Sequence, residues 1–469
     1  MNSSATNIAN DDEPASSSTR LLLLLILCGA LFCGFWLVDH TPFASEHYNP
    51  HGDIMATDNR TADRIQKVNK ITAPARLFVA LLGIGFLFLK PPGRLRTFSP
   101  VMITAAMFLG FVFASVTWSE NPGVTIHKCV VLACFGVAAF ALARQLTMEE
   151  LTTVFVLICL GFIAVGFFAE LLLGNFTPYK KDYRFVGTAH PNSLGAYGGF
   201  CCLVSIVYFS YRPKIDPWLI VIFGIGFGVL LLTRSRTALA GLMAGLAAVW
   251  FIKINPNQRV LVVSSSLLLL VAAVMALTLA RSNVRASVAG KLAMGRTTSV
   301  STLTGRLPLW EELLSSVEKR PLIGHGYLAF WDKEQIEILQ DTLRWEVPHG
   351  HNIYIDWMLD VGLIGFFLFL LMFATAGITA FYRATVLLDR HAMIVAGFLT
   401  FTFVHGFAES LFKLPTFLAF MVATLTLRMA MSYPTEKHDD GRTNDLSLNR
   451  PKSQPLLRPT ALIGNGDVR

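Results

Sequence analysis

From Leu21 to Val38 the chain reads LLLLLILCGALFCGFWLV, without a single charged side chain. A segment this long and this apolar satisfies its own amides by forming a helix, and about 18–20 such residues suffice to cross a bilayer. Comparable stretches recur at 74–90, 99–118, 123–144, 150–173, 193–211, 217–233, 235–252, 259–280, 352–382, 389–408 and 413–431. A soluble chain carries charge at about a quarter of its positions; here 15% of residues are charged and 53% are hydrophobic. The expected fold class is an all-α polytopic membrane protein of about twelve transmembrane helices. The first block lacks both a preceding basic run and a small-residue cleavage site, so it is expected to stay as a helix.

An even number of spans puts both termini on one side. With the N-terminus inside, the inner loops are KPPGRLR, RQLTMEE, YRPKID, KINPNQR and YRATVLLDRH, each containing Lys or Arg, as the positive-inside rule requires. The outer segments are then 39–73, SENP, GNFTPYKKDYRFVGTAHPN, the TRSR junction, a large periplasmic loop over 281–350, and GFAESLFK. This divides the chain into a cytoplasmic tail (1–20), a membrane domain (21–431) and a second cytoplasmic tail (432–469). Both tails are too polar to bury a core and are expected to be disordered.

The seven cysteines all lie inside apolar blocks, which argues against a disulfide framework or a thiolate metal site. His40, His47 and His51 share a segment with no helix to set their spacing, so no metal site is assigned. The net charge of +8 suits contact with anionic lipid headgroups, and no basic-aromatic module points to nucleic acid.

In this topology Arg184, Arg234 and Arg236 fall on the outer side, against the charge rule. Each can snorkel to headgroups, or together they can line a site for a polyanion, since guanidinium forks bind phosphate oxygens bidentately. Lys180 and Lys181 precede Arg184 and would draw an anionic head toward it. Two histidines, His349 and His351, stand where the polar loop meets the apolar helix from Asn352 onward.

Four stretches resemble the O-antigen ligase-like membrane proteins, a family of O-antigen ligases, O-antigen polymerases and exopolysaccharide polymerases. RFVGTAHPNSLGAY (184–197) is similar to the family's external arginine segment. TRSRTALAGLMAG (233–245) is similar to its second, with Ser235-Arg236-Thr237 as shared core. TGRLPLWEELLSSVEKRPLIGHGYLAF (304–330) resembles its long-loop signature, an arginine, a tryptophan and a Pro-Leu-x-Gly-x-Gly turn. HNIYIDWMLDVGLIG (351–365) matches its pattern of His-Asn, nine residues, Gly, two residues, Gly.

The resemblance implies a glycosyltransferase-C-like arrangement of helices in the bacterial inner membrane, with its active site facing the periplasm. It implies transfer of a glycan from an undecaprenyl-pyrophosphate donor to a sugar hydroxyl, with inversion and without metal or nucleotide cofactor. Polymerisation of exopolysaccharide or O-antigen repeat units is the favoured role, and ligation to a lipid core or protein acceptor is the alternative within the family. A chain-length regulator or export machinery is a partner such a role leaves room for. A polytopic lipid or oligosaccharide transporter is the alternative of a different class. Transporters place ionisable residues near the midplane, whereas Glu170 is the one intramembrane carboxylate read here.

The chemistry matches the residue types. A pyrophosphate leaving group gains charge as its bond breaks, and fixed arginines stabilise that charge. The acceptor hydroxyl loses a proton, which an imidazole with a free pKa of ~6.5 can take. His351 is therefore the expected base, and Arg184, Arg236, Arg306 and Arg234 the expected pyrophosphate ligands. Several readings stay open. His349 is a rival base, and Asn352 orients the imidazole or caps the helix. Arg306 binds a substrate or pairs with Glu311 or Glu312. Glu409 is an auxiliary base or the ion-pair partner of Lys413. His325 is read as a surface residue, and Gly362 and Gly365 as points of close helix packing.

Overall fold

A computed structural model describes residues 17–39, 60–89, 95–96, 98–180, 183–212, 214, 216–262, 264–265, 306–343, 347, 349–413 and 416–433. His40, His47, His51, Lys181, residues 1–16 and 434–469, and residues 266–305 (the rest of the predicted span 259–280 and the start of the long loop) lie outside them. The described residues form α1 (Ser17–Asp39), α2 (Arg60–Leu87), α3 (Pro100–Ala114), α4 (Pro122–Gln145), α5 (Met148–Leu172), α6 (Pro191–Phe209) and α7 (Pro217–Leu232). They continue with α8 (Arg236–Lys253), α9 (Arg306–Lys319), α10 (Lys333–Leu343), α11 (Ile353–Thr385), α12 (Arg390–Gly406) and α13 (Phe417–Met431).

Seven stretches among the described residues are long and apolar enough to cross a membrane, the longest being Ile353–Thr385; Pro74–Leu87, Pro217–Leu232 and Phe417–Met431 are shorter apolar helices. The protein is an all-helical polytopic membrane protein. Each predicted span but one coincides with a helix. The exception, 259–280, opens in helical residues and leaves the described region after 265.

Local chemistry sets the helix starts. Ser99-Pro100, Asn121-Pro122, His190-Pro191 and Asp216-Pro217 each place a capping side chain before a proline at the first helical position. There the missing amide costs nothing and the fixed φ already suits a helix. Thr147 and Glu150 close a reciprocal capping box at the start of α5. Where helices must approach closely the chain supplies glycine: a Cβ on Gly198 of α6 would sit 2.5 Å from the Gly226 carbonyl of α7.

One end of the bundle carries Arg20–Glu150 (2.6 Å), Arg212–Asp216 (2.7 Å) and Arg383–Asp389 (2.7 Å), residues of the predicted inner tail and loops. At the other end α5, α7 and α12 finish while α6, α8, α11 and α13 begin. The amphipathic α9 lies over this end, burying Leu309, Leu313 and Val317 against Ile355 and Leu359 of α11.

Helix α11 is broken at Gly362, whose φ of 64° and ψ of −169° no helix contains. The RPLIGHG turn enters the break and satisfies its backbone. His325 N–H donates to the Leu359 carbonyl (2.8 Å), Gly326 N–H to that of Asp360 (2.8 Å), and Leu363 N–H to that of Pro321 (2.8 Å). A Cβ on Gly362 would lie 2.3 Å from the Leu322 carbonyl carbon. Gly362 therefore does more than let helices pack: it breaks one so that a loop can dock. His325 is buried rather than on the surface, its Nδ1 2.8 Å from Glu120 Oε2 and its Nε2 3.0 Å from the Ser316 carbonyl.

Candidate functional site

The outer-loop arginines and the two histidines meet at the end of the bundle where α6, α8 and α11 begin. Glu170, fully buried at the end of α5, shapes the first segment. Its carboxylate accepts from Val186 N–H (2.8 Å), Gly187 N–H (2.7 Å) and the Tyr183 hydroxyl (2.5 Å). This folds the loop back so that Arg184 reaches across to the α7–α8 junction. Arg184 Nε donates to the Thr233 carbonyl (2.8 Å) and Nη2 to Asn192 Oδ1 (2.8 Å).

Asn192, in the first turn of α6, links three segments. Its Oδ1 also accepts from Ser235 Oγ (2.9 Å), the N-cap of α8, and its Nδ2 donates to Glu409 Oε1. Arg236 opens α8 beside that cap, and its guanidinium is near enough to those of Arg184 and Arg306 to repel them. Arg306 opens α9 and places Nη2 2.6 Å from Glu409 Oε1. Arg234 is exposed at the α7–α8 junction, with a left-handed φ of 49°.

His351 immediately precedes the N-cap of α11. Asn352 accepts from Tyr354 N–H (3.0 Å) and Ile355 N–H (3.3 Å), which caps the helix. His351 itself holds a φ of 48°, a conformation that costs energy for any residue with a side chain. Its Nδ1 lies 3.5 Å from Glu409 Oε2, and 13% of its side chain is exposed against 1% for Glu409. The His349 ring lies beside it, tilted by 52° with the centroids 4.1 Å apart, and His349 Nδ1 accepts from His351 N–H (3.2 Å).

Glu409 is thus the hub, held by Arg306, Asn192 and His351. Burial alone would raise its pKa, but the His351 ring, Arg306 and His190 hold it well below the usual carboxylate range. Burial pushes His349 well below the histidine range, and His351 beside it adds to the effect. The His351 ring turns its Nδ1 toward this carboxylate.

These contacts revise three expectations. Glu409 does not pair with Lys413; Lys413 Nζ lies 2.8 Å from Asp360 Oδ2 instead. Arg306 pairs with Glu409 rather than with Glu311 or Glu312. Glu170 is not alone, because Asp356 and Asp360 are also fully buried carboxylates of a membrane helix. Sequence reading passed over Asn192, His190, Asp356 and Ser410. The signal for Asp356 was present, since an acid in so apolar a helix is costly without a role.

His349, His351 and Glu409 offer ligand atoms within 4.8 Å of one another, a spacing that can hold a metal ion. Their existing commitments fit that use poorly. Glu409 Oε1 already neutralises Arg306, His349 Nδ1 is a hydrogen-bond acceptor, and the nearby guanidiniums oppose a dication.

The family model described as O-antigen ligase matches residues 219–370, which contain Arg236, Arg306 and His351. The chain is 26% identical over 334 residues to the exopolysaccharide production protein ExoQ of Rhizobium meliloti, covering 65% of this chain and 71% of that one. It is 27% identical over 318 residues to an O-antigen ligase of Pseudomonas aeruginosa, covering 64% and 71%. The chain carries a segment that matches the O-antigen ligase family model and shares distant similarity with both of these relatives. It is a membrane enzyme of the glycan-polymerising or glycan-ligating kind, and the cluster around Glu409 is its candidate active site.

Proposed function

We propose that this enzyme transfers a glycan from an undecaprenyl-pyrophosphate donor at the periplasmic face of the inner membrane. The observation that carries the reading is the His351–Glu409 contact set among Arg184, Arg236 and Arg306. His351 Nε2 takes the acceptor O–H proton while the acceptor oxygen attacks the anomeric carbon from the side opposite the pyrophosphate. The bond to the pyrophosphate breaks with its electron pair left on the departing oxygen, and the configuration inverts. Arginines aimed at that oxygen stabilise the developing charge in place of a divalent ion. The imidazolium then returns its proton to water, with Glu409 stabilising it meanwhile.

Polymerisation of repeat units is the role we favour, on the similarity to ExoQ; ligation, the named role of the Pseudomonas relative, is the close alternative. Electrophoresis of surface glycans from a deletion strain separates them. Loss of long polymer with single units still attached means polymerase, and free lipid-linked polymer means ligase. His351→Ala should abolish transfer in protein that still inserts and folds; full activity would defeat the base assignment. Transfer should also persist in a strong chelator, and loss that a divalent ion restores would transfer the role of His349, His351 and Glu409 to a metal.

A further inference from the structure

The proposed dyad joins a strained turn to a different loop, and one buried carboxylate touches both. Asp356, in the first turn of α11, is fully buried. Its Oδ1 accepts from Gly350 N–H (3.2 Å), the residue before His351. Its Oδ2 accepts from the Ser410 hydroxyl, the residue after Glu409. The two oxygens of one side chain thus hold the chain neighbours of both dyad members.

Other contacts make this bridge rigid. A Cβ on Gly350 would lie 2.8 Å from Asp356 Oδ1, so only glycine lets the turn come this close. The Gly350 carbonyl accepts from Trp310 Nε1 (2.9 Å), which fixes the turn from the α9 side. Lys413 Nζ donates to the Asp356 backbone carbonyl (3.1 Å) and balances Asp360 at 2.8 Å, tying the Glu409 loop to the same helix turn. The Trp357 ring lies 5.6 Å from the Lys413 ammonium.

The geometry assigns Asp356 as a positioning residue for glycan transfer: with Ser410, it sets the distance and angle between His351 and Glu409. The assignment rests on the proposed base role of His351. It explains why a carboxylate is buried where an apolar residue would insert more easily, and why His351 holds a φ that its own preferences resist. The bridge confines the imidazole to one approach, with Nδ1 on Glu409.

The test uses the full chain in host membranes, with the lipid-linked glycan and acceptor that the cell itself makes. Ser410→Ala removes one arm of the bridge, Asp356→Asn keeps the shape without the charge, and Asp356→Ala removes both arms. His351→Ala is the control for the underlying reading. Binding of undecaprenyl pyrophosphate to each purified variant reports whether the arginine site still forms. We expect Ser410→Ala and Asp356→Ala to lose about ten- to a hundredfold in turnover, the size of a misplaced catalytic group, while undecaprenyl pyrophosphate binds as in wild type. Asp356→Asn, whose amide can accept from Gly350 and donate to Ser410, should recover most of the turnover. In Ser410→Ala the pH dependence of transfer should also move, because the imidazole's partner is displaced. Wild-type turnover and pH profile in both Ser410→Ala and Asp356→Ala, with His351→Ala inactive, would overturn the positioning role and leave the base intact. Loss of undecaprenyl pyrophosphate binding in step with turnover would overturn it too, since Asp356 would then merely hold the fold together. An active His351→Ala would instead bring down the underlying reading.

Discussion

Glu409 brings one negative charge to a place lined by Arg306, Asn192 and His351, and it is almost completely buried. Removing one partner of a buried pair leaves the other uncompensated, at a cost of about 3–5 kcal/mol. Glu409→Gln should therefore lower the melting temperature of the purified protein as well as its turnover; an unchanged melting temperature would mean that Arg306 reaches water easily. His349 makes a second residue-scale prediction. Its folded pKa lies well below its unfolded one, so below pH ~6.5 the unfolded chain takes a proton that the folded chain refuses. Stability should fall as the pH drops, by at most about 1.4 kcal/mol per pH unit from this group. His349→Gln should flatten that slope between pH 7.5 and 5.5, and parallel slopes would contradict the assignment. Arg184 gives the third. Its Nε and Nη2 already bind Thr233 and Asn192 in a fork that lysine cannot copy. Arg184→Lys should weaken undecaprenyl pyrophosphate binding, and unaltered affinity would remove Arg184 from the anion site.

At the scale of elements, the broken α11 and the RPLIGHG turn are one unit. The turn supplies hydrogen bonds that the break leaves open, and the Glu120 carboxylate anchors it through His325 (2.8 Å) and Arg320 (3.0 Å). Gly362→Ala places a Cβ against backbone at a positive φ, which costs at least about 1–3 kcal/mol. It should reduce both the yield of folded protein and transfer; near-normal stability would show that the turn can shift. The signatures TGRLPLW…PLIGHG and HNIYIDWMLDVGLIG were separately legible. Their interlocking was not, because backbone hydrogen bonds between distant segments leave no side-chain pattern. Helix starts were legible where Ser-Pro, Asn-Pro or Asp-Pro marked them, since capping and the proline ring act within a few residues.

For the whole molecule, the described Lys and Arg of the predicted inner loops collect at one end and the Glu409 cluster forms at the other. By the positive-inside rule the cluster is then expected to face outside. A membrane-impermeant maleimide should label Tyr179→Cys and Leu322→Cys in intact cells with a permeabilised outer membrane. Lys214→Cys and Val386→Cys should label only after lysis. The reverse pattern would put the site in the cytoplasm and exclude a periplasmic transferase.

The amino-acid sequence alone determined the helical, membrane-spanning class and which loops share one end of the bundle. Those follow from apolar length and local charge, which any single stretch carries within itself. It also marked Arg184, Arg236, Arg306 and His351 as residues worth their cost. Only the tertiary structure decided that Arg306 and His351 share Glu409, that Lys413 turns to Asp360, and that Asp356 spans the two loops. Each of those choices is a competition among charges far apart in the chain, and packing settles which partners come within reach.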